Sequence, residues 1–267
     1  MAGLDQHWVS LIVFLPLLWA IAGLVLPGEK TAGGAFSKYW ALLGSIATFG
    51  LSLFLYQHYL PSGPDFQFVE NHTWIPGLGI SYAVGIDGIS FWLILLTTFL
   101  MPLAVLCSFT AVETRTKEYY FLLLALETGM LGAFVALDIF LFYVFWEAML
   151  IPMYLLIGIW GGKDRIYAAM KFFLYTMVGS LLMLVAIFYL AYQHKLQMGS
   201  YSTLITDLYS LHLAGGAGFW TTQNILFLAF ALAFAIKVPL FPFSLRATAE
   251  RGSLGLVNPA VLLLMNR

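Results

Sequence analysis

Charge is scarce in this chain. Only 9% of its 267 residues are Asp, Glu, Lys or Arg, while 61% are hydrophobic. A soluble domain of this length cannot hide so much apolar surface, so the composition indicates an all-α polytopic membrane protein. The 12 basic and 13 acidic residues nearly cancel, leaving a net charge of −1. That balance argues against a nucleic-acid partner, which clustered Lys and Arg would serve. Cysteine is scarcer still. Cys107 stands alone, so no internal disulfide can form, and its apolar surroundings read as those of a small core residue. No CxxC pair and no clustered Cys/His spacing suggests a metal or iron–sulfur site.

What the chain has in abundance is long apolar runs. A hydrocarbon core of roughly 30 Å needs about 20 apolar helical residues. Seven runs meet or approach that length: 9–26, 39–60, 89–109, 119–137, 139–160, 171–192 and 222–243. Ala20-Ile21-Ala22 in the first resembles a signal-peptidase site, but the flank before it carries Asp5 and no basic residue, so a span is the better reading. The lipid bilayer is thus the chain's first partner. Residues 1–110 hold the first three spans and an extramembrane loop at 61–85, rich in Gly and Pro and suited to a hairpin. Residues 111–243 hold the next four, and 244–267 form a tail of different character. Asp138 marks the tight turn between the fourth and fifth spans.

Basic residues orient the scheme. Lys30, Lys38, Arg115, Lys117, Lys163, Arg165, Arg246, Arg251 and Arg267 fall on one side, with Lys171 at the same boundary and Lys195 in a loop on the other. The basic side faces inward by the positive-inside rule, which puts the N-terminus outside. Trp8, Trp40, Trp74 and Trp160 lie near span ends as interface anchors, and His58, His72, His194 and His212 fall at span ends or in loops as solvated side chains.

Three ionisable residues remain inside spans. Glu147 lies in the fifth, within FLFYVFWEAMLIPMYLLIGIWGG. A charge at such depth costs at least roughly 2.5–3.5 kcal/mol, so it faces protein or water and needs a partner. Pro152 weakens the same helix by leaving the carbonyl of Ala148 without its donor. Lys237 stands in ALAFAIKVPLFPF, just before Pro239 and Pro242, which predict a broken seventh helix. Its alternative is to snorkel to a surface only about 9 Å away. Glu147 lies about 12 Å and Lys237 about 22 Å below their helix starts, so a direct salt bridge does not follow, and a water-bridged or switchable pair is equally allowed. Glu127 sits mid-span near Gly129 and Gly132, as a packing residue or a third titratable site. Lys171 opens the sixth helix before an aromatic run and is placed either to anchor at the surface or to reach inward.

The ordered motifs FYVFWEAMLIPMYLLIGIWGG, RIYAAMKFFLYTMVGSLLML and AFAIKVPLFPF make the chain similar to the antiporter-like subunits of respiratory complex I, NADH-quinone oxidoreductase. The FWE-x-x-L-x-P pattern favours the subunit M branch over subunits L and N or the Mrp-type cation/proton antiporters. The resemblance covers roughly 9–243 and implies proton translocation driven by quinone reduction elsewhere in the complex. It assigns a coupled pair to Glu147 and Lys237, with Lys171 on the hydrated path; Glu127 joins them as a candidate from its place mid-span. It implies no cofactor on this chain, with NAD, FMN, iron–sulfur clusters and quinone on other subunits, and subunits L and N as neighbours in a bacterial inner membrane. Its fold implies inverted five-helix repeats starting at the fourth helix. After FPF the family continues with a His-Thr/Gly-Trp-Leu-Pro-Asp-Ala-His stretch, whereas this chain reads Ser244-Leu245-Arg246-Ala247-Thr248-Ala249-Glu250-Arg251. That departure implies a truncated antiporter-like fold. A sister antiporter subunit and a non-conducting membrane scaffold are the alternative functions.

Overall fold

The computed structural model describes residues 7–25, 35–213 and 220–238. Helices α1 (Trp8–Val25) and α2 (Ala35–His58) are followed by strands β1 (Gln67–Ile75) and β2 (Ile80–Ile86), then α3 (Gly88–Cys107) and α4 (Thr116–Val135). The fifth span is divided into α5 (Ile139–Ala148) and α6 (Leu150–Trp160). The long α7 (Arg165–Met198), a single turn α8 (Ile205–Leu208) and α9 (Thr222–Lys237) complete the described chain. Among the described residues six spans are long and apolar enough to cross a membrane, and α9 is a shorter apolar helix. The seventh predicted span therefore begins as expected; the break expected at Pro239 and Pro242, and the tail 244–267, lie outside the described residues.

Helix α4 is the axis of the bundle. Of its apolar window 67% is buried, against 28–33% for the other spans. It touches α1, α2, α3, α5, α6 and β2. Small side chains let its neighbours close in: a methyl group at Gly129 would sit 2.5 Å from Cγ of Met149, and one at Gly132 would enter the ring of Phe145. These are the two glycines that the sequence marks for close approach.

Helices α1 and α2 are tied by a reciprocal pair. Trp19 Nε1 donates to the Trp40 carbonyl at 2.9 Å, Trp40 Nε1 to the Trp19 carbonyl at 3.0 Å, and the rings stack at 4.7 Å. Likewise Trp160 Nε1 donates to the Thr114 carbonyl at 3.0 Å. Two of the predicted interface anchors thus also fasten helices.

The 61–85 segment is a hairpin. Glu70 pairs with Val84 and Thr73 with Ser81, and the turn Pro76–Leu78 closes on Gly79, whose φ of 65° is open to glycine at little cost. Asp87 then starts α3 with a capping box: it accepts from Ser90 N at 2.6 Å, while Ser90 Oγ accepts from Asp87 N at 2.9 Å.

Three expectations need correction. Cys107 is exposed, not a core residue. It ends α3 on an outward side, and in a membrane chain an apolar run faces lipid as readily as protein. His194 is buried, with Nδ1 2.7 Å from the Ser200 carbonyl, because α7 outruns the predicted span and its end is covered by the chain folding back. The start of α7 is Arg165, so Lys171 lies in its second turn rather than opening it. At 34 residues and 1.5 Å each, α7 is roughly 50 Å long and projects beyond a hydrocarbon core.

Candidate functional site

The interruption of the fifth span positions the buried charges. Asp138 caps α5, accepting from Phe140 N at 2.8 Å and Leu141 N at 3.1 Å. The helix runs to Ala148, where Pro152 leaves the carbonyl without a helical donor. At Met149 the ladder loosens: Met149 N to Phe145 O and Met153 N to Met149 O are both 3.3 Å. Glu147 therefore stands beside a stretched turn in its own helix.

Helix α9 brings the lysine to the same place. Trp146 packs with Met183 and Ile187 of α7 and Ala233 of α9, and meets Phe234 edge-on at 4.9 Å. Lys237, the last residue of α9, donates Nζ to the carbonyl of Trp146 and lies 4.1 Å from the centroid of its ring. The ammonium thus binds the peptide unit next to Glu147. Carbonyl and ring face both supply negative potential where water is scarce. Glu147 is half-buried, and its Oε1 is buried without a hydrogen-bond partner among the described residues. No ion pair joins Glu147 to Lys237 among the described residues. The ammonium and the carboxylate lie near one another, with the lysine bonded to the Trp146 carbonyl.

Two hydroxyls complete the group. Tyr143 lies one turn before Glu147 on α5, and buried Ser180 of α7 faces both of them. Ser180 donates to the Met177 carbonyl at 2.9 Å, which leaves its lone pairs available to α5. Tyr143 was accessible to sequence reasoning, since i and i+4 share a helix face. Ser180 was missed, although a hydroxyl in an apolar run was a usable signal. Nothing in the sequence marked Trp146 as the seat of the lysine.

The other two candidates lie apart. Glu127 has no exposed surface, and neither carboxylate oxygen has a hydrogen-bond partner among the described residues. It sits in α4 between the cluster of Tyr119 to Leu126 and that of Leu131 and Val135. Met149, at the α5 break, packs against Gly129 two residues further on. Lys171 is partly buried, 6.0 Å from the ring centroid of Tyr167 in its own helix. It lies nine residues, roughly 14 Å, along α7 from Ser180.

A carboxyl group, an ammonium and two hydroxyls converge near Met149, all of them groups that take up or release protons. No group of three or more His, Cys, Asp or Glu able to hold a metal ion occurs among the described residues. A cleft of about 300 Å³ between α1 and the hairpin, lined by His7, Glu70 and His72, opens to the surface away from this group.

Two family models match end to end. Residues 38–133 match "NADH-ubiquinone oxidoreductase chain 4, amino terminus", and 136–248 match "NADH:quinone oxidoreductase/Mrp antiporter, TM". NADH-quinone oxidoreductase subunit M of Rhodobacter capsulatus is 47% identical over 246 residues, covering 89% of this chain and 46% of its own length. A chain of respiratory complex I from Thermus thermophilus superposes with a TM-score of 0.71 at 36% identity, over 88% of this chain and 45% of that one. A chain of the Mrp complex from a Dietzia species shares the fold, with a TM-score of 0.68 at 19% identity over 88% of this chain and 24% of that one. The chain spans about half the length of the subunit M relative and of the complex I chain.

Proposed function

Since the chain belongs to the antiporter-like membrane subunits of NADH:quinone oxidoreductases, and aligns with the subunit M branch, we propose that it is a proton-translocating subunit. Its Glu147 and Lys237 are the coupled pair. The observation that carries this reading is the seat of the Lys237 ammonium on the Trp146 carbonyl, one residue from Glu147 although the two charges are 90 positions apart in the chain.

The chemistry follows from two competing seats for one ammonium. With Glu147 ionised, the ammonium is drawn from the carbonyl toward the carboxylate. With Glu147 protonated, that attraction goes and the ammonium returns to Trp146. Each exchange alters how readily Lys237 gives up or takes a proton, because burial and a neighbouring carboxylate act on it in opposite senses. Tyr143 and Ser180 hold the carboxyl group's other side. Glu127 and Lys171 belong to the wider path as proton-accepting positions on α4 and α7.

The driving reaction lies on other subunits: quinone reduction, with NAD, FMN and iron–sulfur clusters held there and no cofactor on this chain. The chain is a multi-pass subunit of a bacterial inner membrane with its N-terminus outside, set between subunits L and N. The half-length match to subunit M supports membership of a multi-subunit membrane complex, and the basic-residue asymmetry supports the orientation.

The test is made in assembled complex in sealed vesicles. Glu147→Gln keeps size and hydrogen bonding but carries no charge, and should lose most coupled pumping while assembly is retained. Lys237→Arg fixes the charge, because guanidinium does not deprotonate, and should be nearly as damaging as Lys237→Ala. Normal pumping by assembled Glu147→Gln refutes the reading. Normal pumping by Lys237→Arg reduces the lysine to a fixed charge and removes the exchange.

A further inference from the structure

Asp138 has no exposed surface, and its bonds reach well beyond the cap of α5. Oδ1 takes the two amide protons of Phe140 and Leu141. Oδ2 accepts from Ser81 N of β2 at 3.0 Å and from Thr203 Oγ1, in the segment after α7, at 2.6 Å. One buried carboxylate thereby joins three stretches of chain: the hairpin, the start of α5 and the return from α7.

The backbone repeats the connection. Leu137 N donates to the Ala83 carbonyl at 2.8 Å, Ile139 N to Thr203 O at 2.9 Å, Ile205 N to Leu137 O at 2.9 Å and Thr203 N to Gly79 O at 3.2 Å. Residues 136–138 and 203–204 thus extend the hairpin into a small sheet over the ends of α4, α5 and α7, with Val84 bridged to Ala136 and Asp138 to Leu204.

This end is where α5 is held. The helix is a rod of ten residues, and its other end is the loosened turn at Met149. With the backbone bonds across Met149 stretched to 3.3 Å, α5 takes its axial setting chiefly from the fixed end. Glu147 lies nine residues, roughly 14 Å, down that rod. The second partner, Thr203, follows α7, which carries Ser180 and packs on α9, which carries Lys237. The carboxylate therefore references the helix of Glu147 to the helices of the groups that Glu147 must meet.

We propose that Asp138 is a positioning residue: with Thr203 it locks α5 axially against α7 and the hairpin, and so sets Glu147 against Ser180 and Lys237. This role rests on the proton path proposed above. Asp138 carries no proton in it. Loss of the lock lets α5 slip or turn, and the pair no longer meets although both members are present. Displacement of a catalytic group by about 1 Å can lower a rate by roughly 100-fold.

The experiment compares Asp138→Asn, Thr203→Val and Thr203→Ser in assembled complex, with Glu147→Gln alongside. Pumping is measured across a pH series, and assembly by the amount of complex in the membrane. Thr203→Val keeps the side-chain shape and deletes the hydroxyl. It should assemble, lose roughly tenfold to 100-fold of pumping and shift the pH profile. Asp138→Asn should shift the profile in the same direction, and Thr203→Ser, which restores the hydroxyl, should return the wild-type profile. If Glu147→Gln stops pumping while assembled Thr203→Val and Asp138→Asn keep wild-type pumping and pH profile, the positioning role is overturned and the proton path stands. If Glu147→Gln pumps normally, it is the proton path that falls. Failure of Thr203→Val to assemble also overturns the proposal, because the contact then serves folding alone.

Discussion

Glu70 is the perturbation whose effect can be worked most directly from the structure. Its side chain, on β1, reaches the first turn of α1 and accepts from Val9 N at 2.9 Å and Ser10 N at 3.0 Å, and also from the Ser10 hydroxyl. Those amides have no helical acceptor, so a strand residue caps a helix 60 positions away. Hydrogen bonds to a charged group contribute about 1.5–3 kcal/mol each, but the cleft beside Glu70 lets water replace part of what is lost. Glu70→Ala should therefore cost about 2–4 kcal/mol, at the upper side of a lost helix cap because two elements separate. Glu70→Gln keeps an acceptor for the amides and loses mainly the attraction of a negative charge for the helix terminus, about 0.3–1 kcal/mol at the surface and up to about 2 when partly buried. The assay is unfolding of purified protein in mixed micelles, titrated with denaturing detergent. Equal losses in Glu70→Gln and Glu70→Ala would show that charge decides the contact and that acceptor geometry contributes nothing. No loss in Glu70→Ala would refute the cap altogether.

Two further outcomes follow from other contacts. Gly132→Val should force Phe145 out of its place against α4 and destabilise by about 1–3 kcal/mol in the same titration, whereas Gly50→Val, with open space around it, should leave stability unchanged. Tyr82, on the extramembrane strand β2, has its hydroxyl 2.7 Å from Ser10 Oγ, and burial holds its pKa above 10.0, with the Ser10 contact opposing and Glu70 adding to the rise. A folded pKa above the unfolded one means stability that is intact below about pH 10 and is lost as pH rises through the folded value; Tyr82→Phe should flatten that alkaline loss, read from unfolding at stepped pH.

The spans were legible because membrane helices announce themselves by length and composition. The predicted edges fell within a few residues for most of them, and Asp138 marked a real helix start. The main boundary miss was α7. Its ends are held by the Arg165 guanidinium on the Ile159 carbonyl and by the chain folding back over His194, and neither has an apolar signature. Cys107 was misread because apolarity alone does not say which way a residue faces in lipid. Glu147, Lys237 and Glu127 were legible as intramembrane charges for the opposite reason: a charge inside an apolar run has no bland composition to hide in.

Partners were harder to read than sites, and the physical reason is separation along the chain. Lys237 is seated by residue 146, Glu70 by residues 9 and 10, and Asp138 by residues 81 and 203. Each partner is a backbone group or a neutral hydroxyl, whose identity leaves almost no mark on the sequence. A buried carboxylate predicts that donors exist, and burial without them would be costly, but any amide on any neighbouring element can serve. These charges therefore divide by what meets them. Asp138 and Glu70 are surrounded by amide and hydroxyl donors, and act as fasteners. Glu147 and Lys237 lie beside a loosened helix, with one carboxylate oxygen unpartnered among the described residues and the ammonium on a carbonyl and a ring. A fully bonded charge is expensive to change; a partly bonded one can change partner. That difference in satisfaction, rather than depth or residue type, separates the anchors of this bundle from the pair proposed to exchange protons.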